Sequence, residues 1–423
     1  MSARLHTLPN GVRVVCDPIA GLESAALSVV IRGGARWEAA DRNGWSHLLE
    51  HMVFKGAGDR SARDIVEAIE SSGGHINAAT GYERTSYQVR FLDGGLDLAS
   101  AVCADLVRRP TLDAGDLQRE IAVIGQEIAE AADTPDDRVF DLAQSRAFAG
   151  QSLGRPILGS NDSIGVATTA DLARFHRGLY APERIVVAAA GAVDEDELLA
   201  LVTRDFGDAV SPQPPLAEPH PAAFADGDVT EARRLEQAQL VILLPAGGAR
   251  DPDYFAQRLF AEILGGGMSS RLFQEAREER GLAYNIDAYA ETYEDVGVLG
   301  IYAGCAAADV TQTAELCGRE AAKLARSVLP HELARAKAQA KASLFMGRES
   351  PLNRAEQAAG QVMLFGRPLA PAELAEAIDA VDAADLARVG ERVLGSGEAV
   401  VAVLGPKKSA GAAKAFRAGL AAA

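Results

Sequence analysis

The strongest constraint on the fold is an internal repeat. The segment from Ala25 to Arg36 reads AALSVVIRGGAR, and the segment from Gln239 to Arg250 reads QLVILLPAGGAR. Each is an apolar run of strand length closed by Gly-Gly-Ala-Arg and followed by a helical pattern, Asp41 to Lys55 in one half and Asp253 to Leu264 in the other. A second helix and a strand-rich stretch follow in both halves, opening near Asn77 and Asn285. A chance tetrapeptide would not keep its place after a strand and before a helix twice, so the order marks a duplicated unit. Further strands are predicted at Val12 to Cys16, Ser86 to Leu92, Ile185 to Ala190, Val296 to Tyr302 and Ala399 to Leu404, beside helices such as Ser61 to Ser72 and Asp113 to Ala131. The predicted fold class is α+β, two homologous halves, each a sheet backed by helices.

Between the halves, Pro212, Pro214, Pro215, Pro219 and Pro221 cluster with acids and small residues, as a semi-rigid linker requires. The expected domains are 1–210 and 229–423, with a linker at 211–228. Lys and Arg number 42 against 59 Asp and Glu, a net charge of −17, the wrong sign for coating nucleic acid or an anionic membrane. The four cysteines Cys16, Cys103, Cys305 and Cys317 are widely spaced without a CxxC, so neither a disulfide framework nor a thiolate zinc site is signalled. The N-terminus lacks the apolar core of a signal peptide, and no stretch has about 18 uninterrupted apolar residues. The expectation is a cytoplasmic protein that binds neither nucleic acid nor membrane.

Two of seven histidines lie in one five-residue window, His47-Leu48-Leu49-Glu50-His51. On a helix, positions i and i+4 share a face one turn apart, so both imidazoles can reach a single ion with Glu50 beside them. This order inverts the commoner His-Glu-x-x-His, and both orders place a carboxylate where it can take a proton from water at the metal. Catalytic zinc usually takes three protein ligands and leaves a position open, so a third ligand should lie elsewhere. The helical pattern from Asp116 to Glu130 offers Glu120 and Glu127, seven apart and hence two turns apart on one face. Either could coordinate.

The inverted motif, a glutamate 76 positions after its last histidine (51 to 127) and the doubled α+β half resemble the pitrilysin/insulinase family of zinc peptidases, in the branch of mitochondrial processing peptidase and its bacterial relatives. The likeness covers essentially the whole chain and implies mainly antiparallel sheets. It makes His47, His51 and Glu127 the zinc ligands, Glu50 the general base, and Glu120 a carboxylate that supports the site from behind. The stretch from Gly73 to Tyr87 is similar to a family segment in which Asn77, Ala78, Ala79 and Thr80 lead into an edge strand that pairs with substrate through backbone hydrogen bonds. His75 is not used by the family. The stretch from Gly265 to Tyr284 is similar to a downstream family motif whose Arg277 and Tyr284 would hydrogen-bond the peptide carbonyl as its oxygen gains charge. Gly265 to Gly267 is not read as a phosphate loop, because no Gly-Lys-Ser/Thr follows. Gln151 stands where the family usually has a histidine before Leu-Gly-Arg. Ala261 to Gly265 occupy the place of the metal motif in the second half, so one Zn2+ per chain is expected.

The resemblance thus implies a zinc metalloendopeptidase that cuts unfolded or short peptides in an enclosed chamber, its remaining walls supplied by a homodimer or by a related subunit. The acidic net charge favours basic peptides. The competing readings are a non-catalytic core or assembly subunit of the same fold and a peptide-processing component of a maturation pathway.

Overall fold

The computed structural model describes residues 3–210, 214–409 and 411–422. Strands β1 (Arg4–Thr7), β2 (Arg13–Pro18), β3 (Ser24–Arg32), β4 (His75–Thr80), β5 (Arg84–Leu92) and β6 (Ile185–Gly191) form a sheet in the order β1-β2-β6-β3-β5-β4. Strands β7 (Gly227–Ala232), β8 (Gln237–Gly247), β9 (Ala283–Thr292), β10 (Val296–Ala306) and β11 (Val400–Gly405) form a second, in the order β9-β10-β8-β11-β7. Counted from the edge hairpin, β4-β5-β3-β6-β2 and β9-β10-β8-β11-β7 are the same topology. Each sheet is antiparallel except at one matching pair, β2 with β6 and β7 with β11. The chain is α+β, built from two like halves.

The repeated Gly-Gly-Ala-Arg has one structural role in both. After β3, Gly33 and Ala35 donate backbone hydrogen bonds to the turn of the edge hairpin (Glu83 O and Gly81 O), and the Arg36 guanidinium pairs with the Glu83 carboxylate. After β8, Ala249 donates to Tyr293 O in the equivalent turn, and Arg250 pairs with Glu294 at 2.6 Å. The motif ties each central strand to its own edge hairpin.

The core of the first unit lies between its sheet and helices that include α1 (Trp45–Val53), α2 (Ala62–Glu70), α3 (Leu96–Arg108) and α4 (Ala114–Asp133). The helix expected from Asp41 to Lys55 forms only at Trp45–Val53, because Gly44 takes φ 89 and breaks the chain between a 3-10 turn and α1. Only glycine adopts that angle freely, and a Cβ at position 44 would lie 2.6 Å from the Leu158 carbonyl oxygen. The start of α1 is capped from six residues upstream. The buried Glu38 carboxylate accepts from Gly44 N at 2.7 Å, Ser46 N at 2.6 Å and Asn43 Nδ2 at 3.1 Å, which satisfies orphan donors of the first turn.

The two compact units are not the contiguous halves expected at 1–210 and 229–423. One comprises the chain to Ile128, Pro156–Pro219 and Leu344–Pro371; the other comprises Ala129–Arg155, His220–Ser343 and the chain from Ala372. The reason is visible in the central strands. Every residue of β6 and of β11 is buried, so both faces of each sheet need cover. Helix α5 (Pro135–Ala147), from the first half of the sequence, packs on β8 and β11 of the second sheet. There its Gln144 Nε2 donates to the Tyr293 hydroxyl at 2.8 Å, and Phe140 stacks on Tyr302 with ring centroids 5.4 Å apart. Helix α6 (Tyr254–Gly265) follows β8 as α1 follows β3. Helix α7 (Pro351–Phe365), from the second half, packs Ala355, Ala358, Ala359 and Val362 against Val15, Val30, Val186, Ala188 and Ala190 of the first sheet. Those small side chains let the helix approach closely, and Arg354 Nε fixes it to buried Asp17 at 2.7 Å.

The expected linker also ends sooner than 228, since β7 opens at Gly227. Ser211, Pro212 and Gln213 lie outside the described residues. The rest is fastened at both ends: Leu216 N donates to Gly178 O at 3.0 Å in the first unit, and Ala225 N donates to Ala147 O at 2.8 Å in the second.

The unequal burial of the two motif arginines gives a testable asymmetry. The Arg36 side chain is 4% exposed and Arg250 53% exposed. Arg36→Ala should cost about 3 kcal/mol of unfolding free energy in urea titration, because it strands a partly buried carboxylate. Arg250→Ala should cost less than about 1 kcal/mol. Equal losses would show that burial does not set what each arginine contributes.

Candidate metal centre

Helix α1 divides its residues by period. Trp45, Leu48, Leu49, Met52 and Val53 are buried in the core, while His47, Glu50 and His51 lie on the half-buried opposite stripe. Helix α4 then brings in its acids. Glu127 Oε2 lies 3.9 Å from His47 Nε2 and 3.8 Å from His51 Nε2. The donor atoms of His47, His51 and Glu127 all fall within 4.8 Å of one another, the one such group among the described residues. These separations are too long for hydrogen bonds and near the roughly 3.3–3.6 Å at which ligands share a tetrahedral zinc ion with bonds of about 2.0–2.2 Å. Two imidazoles and one carboxylate, with no fourth protein donor in the group among the described residues, fit a catalytic zinc site.

The electrostatics suit ligation. Burial, followed by the neighbouring His51, pushes the His47 imidazole down to about 4, so it presents a neutral ring. Burial raises Glu50, an effect opposed by a hydrogen bond from Thr80 and by His51. The Thr80 hydroxyl donates to Glu50 Oε2 at 2.5 Å.

Glu120 sits apart from the donor group. Its Oε2 lies 3.0 Å from His51 Nδ1, the ring nitrogen facing away from the cluster, and its Oε1 lies 2.8 Å from Lys55 Nζ. The seven-residue spacing of Glu120 and Glu127 did not choose between them. The packing of α4 on α1 does, placing Glu127 among the donors and Glu120, only 6% exposed, behind His51.

Asn77, Ala78, Ala79 and Thr80 lie on β4, at the edge of the first sheet, with β5 on one side and no strand on the other among the described residues. Ile76, Ala78 and Thr80 form its half-buried row, and His75, Asn77 and Ala79 its exposed row. Thr80, read from sequence as part of the segment that pairs with substrate through its backbone, turns its side chain to Glu50. Its backbone remains part of the edge.

Arg277 and Tyr284 belong to the second unit. Arg277 lies on a π-helical stretch, Phe273–Glu278, where the repeat predicted a second helix, and Tyr284 lies on β9. The Arg277 guanidinium carbon is 5.5 Å from the Tyr284 ring centroid, and the 78% exposed tyrosine opens on a hollow of about 540 Å³ lined also by Asp136, Gln239 and Tyr302. In α6, the counterpart of α1, Ala261, Ile263, Leu264 and Gly265 are buried apolar positions. A Cβ on Gly265 would meet Ala288 N at 2.4 Å, so this helix end packs directly on β9. Gln151 replaces its family histidine with a paired amide: Nε2 donates to Ala223 O at 2.7 Å and Oε1 accepts from Ala223 N at 2.8 Å.

Sequence reasoning missed Glu38, Lys55 and the Thr80 hydroxyl. For Lys55 a signal existed, four positions after His51 on the same helical register.

Comparison with known proteins agrees with this geometry. Residues 13–161 match the model of the insulinase family (peptidase family M16), and residues 167–340 match that of the peptidase M16 inactive domain. An uncharacterized zinc protease of Streptomyces coelicolor is 34% identical over 415 residues, covering 96% of this chain and 90% of that protein. The fold is shared with a protease from Helicobacter pylori (TM-score 0.89, 21% identity, 96% of this chain and 99% of that one) and with a chain of complex III2 from Candida albicans (TM-score 0.85, 20% identity, 99% of each). With its repeated topology, its His-His-Glu group and a relative aligned almost end to end, the chain belongs to the insulinase family of peptidases, family M16.

Proposed function

We propose that the protein is a zinc-dependent metalloendopeptidase that hydrolyses unfolded peptides. The observation that carries this reading is the convergence of His47, His51 and Glu127 beside a Glu50 carboxylate held by Thr80. Bound by His47, His51 and Glu127, zinc would supply Lewis-acid activation of water and of the scissile carbonyl. Glu50 takes the proton of the attacking water as its oxygen bonds to the carbonyl carbon. The same carboxyl then gives that proton to the amine as the C–N bond breaks. An extended substrate added along β4 places its backbone beside Thr80 and so beside Glu50. Arg277 and Tyr284 are assigned to the carbonyl oxygen as it becomes negative, the guanidinium by charge and the phenol by its O–H.

A protein working in a cytoplasmic setting as a homodimer completes the proposal. The fold shared with a complex III2 chain supports a non-catalytic assembly subunit as a second reading. The intact donor set favours the enzyme.

Glu50→Gln should keep zinc at one equivalent by metal analysis and lose hydrolysis by about 10²- to 10⁴-fold, since an amide cannot accept the proton. His47→Ala, His51→Ala and Glu127→Ala should each lose the metal. Wild-type protein that holds no zinc and cuts no peptide, chelator or not, would leave the assembly reading in place.

Tyr284→Phe and Arg277→Ala should lower turnover by about 10²- to 10³-fold with zinc content unchanged. Normal turnover in both would make this pair structural.

Substrate charge is tested with a Lys/Arg-rich peptide, an acidic peptide of equal length and a folded protein, at low and high salt. The basic peptide should be cut fastest, its advantage shrinking with salt, and the folded protein spared. Equal rates for the two peptides at low salt would reject electrostatic selection.

A further inference from the structure

The sequence motif ends at His51, but the structure continues it by one more residue. Lys55 follows the C-cap of α1, where its backbone N–H donates to Met52 O at 3.1 Å. Its Nζ lies 2.8 Å from Glu120 Oε1, while the other oxygen of that carboxylate lies 3.0 Å from His51 Nδ1. Glu120 is 6% exposed and Lys55 34% exposed. A carboxylate so far removed from water needs a charged partner, and Lys55 is the cation the structure places on it.

We propose that Lys55 is a positioning residue for the metal centre, acting through Glu120 to fix the His51 ring with Nε2 turned toward His47 and Glu127. A carboxylate tied at one oxygen only can rotate about its last side-chain bond and lose its hold on the imidazole. With Oε1 anchored on the ammonium, Oε2 has one direction left, toward His51 Nδ1. His47 lacks such a tie among the described residues, where its buried Nδ1 meets no protein hydrogen-bond partner. The site is therefore held asymmetrically, with His51 braced by a two-step relay from the end of its own helix. Partners behind a metal-bound histidine typically contribute about 10- to 100-fold in metal affinity, and Lys55 secures that partner.

This rests on the zinc-peptidase reading, and the test separates the two. Zinc dissociation constants are measured by chelator competition on wild type, Lys55→Met, Lys55→Arg, Glu120→Gln and the Lys55→Met/Glu120→Gln double variant, with thermal unfolding of each metal-free protein as the fold control. Lys55→Met should bind zinc about 10-fold more weakly at an unchanged metal-free Tm, Lys55→Arg should recover most of the affinity, and the double variant should bind no more weakly than Glu120→Gln alone. The cobalt-substituted visible spectrum should shift in Lys55→Met and not in Lys55→Arg. Wild-type zinc affinity in Lys55→Met overturns the proposal, as does full additivity in the double variant, which would mean that Lys55 does not act through Glu120. Absence of zinc binding by the wild type would overturn the zinc-peptidase reading itself. If Lys55→Met lowers the metal-free Tm, the comparison of Lys55→Arg with Glu120→Gln decides: equal weakening in both overturns the relay, and weakening in Glu120→Gln alone supports it.

Discussion

Everything at the metal centre depends on helix α1 being held on both of its faces at once. Nine residues must bury Trp45, Leu48, Leu49, Met52 and Val53 in a close-packed core and still aim His47 and His51 at Glu127, with Glu50 turned to Thr80. A helix that short has little stability of its own, so its pose comes from tertiary contacts. The core fixes its rotation. Glu38 fixes its start, replacing the missing intrahelical acceptors of the first turn, and Trp45 Nε1 adds a bond to Ser163 O at 2.9 Å. A tilt of a few degrees at this anchor would move ring nitrogens by more than the tolerance of a metal–ligand bond.

The repeated architecture shows where the second half departs from the first. Both halves keep the same strand order, the same single parallel pair and the same arginine tie to the edge hairpin. What changed is the helix after the central strand. In α6 the positions that would hold metal donors are apolar, and Gly265 allows backbone contact with β9. Both sheets remain closed on two faces only because α5 and α7 are exchanged between sequence halves. Neither half of the sequence therefore holds a complete unit, and separate expression of 1–210 would leave the all-buried strand β6 uncovered on one face.

How much of this was legible in the sequence follows the range of the forces involved. Local signals read well: Ser61 begins a capping box with Asp64, and the helix predicted there forms at Ala62–Glu70. The spacing of His47, Glu50 and His51 is a property of one helix and needs no tertiary information. Glu120 and Glu127 differ only in which side of α1 each meets, which a period of 3.6 leaves undecided. The exchange of α5 and α7 was hidden for a related reason. A continuous apolar strand announces that both faces are covered, but not by which helix. The Thr80 hydroxyl acts on a side chain far from it in sequence, and the spacing of Lys55 from His51 does not say that the two meet through Glu120.

Charge shows the same gap between a sum and a place. The net charge of −17 is spread over the whole chain, whereas a peptide paired with β4, as proposed, would feel only the groups within about a Debye length of that strand. On the exposed face of the edge hairpin, His75 stands across from Arg90, and Arg84 closes the turn, all three exposed. On the inner row Thr80 holds the Glu50 carboxylate, Glu127 lies in the donor group with His47 and His51, and Glu120 is already paired with Lys55. A peptide extended along β4 would direct alternate side chains to these two faces. Side chains on the inner face of such a peptide would meet the Glu50 carboxylate, and those on the outer face His75 and Arg90, with Glu356 two strands further in at Ser28. Under the proposed docking, electrostatic selection would therefore act on the alternation of charge along a peptide as well as on its total, with cations favoured on the side that faces Glu50.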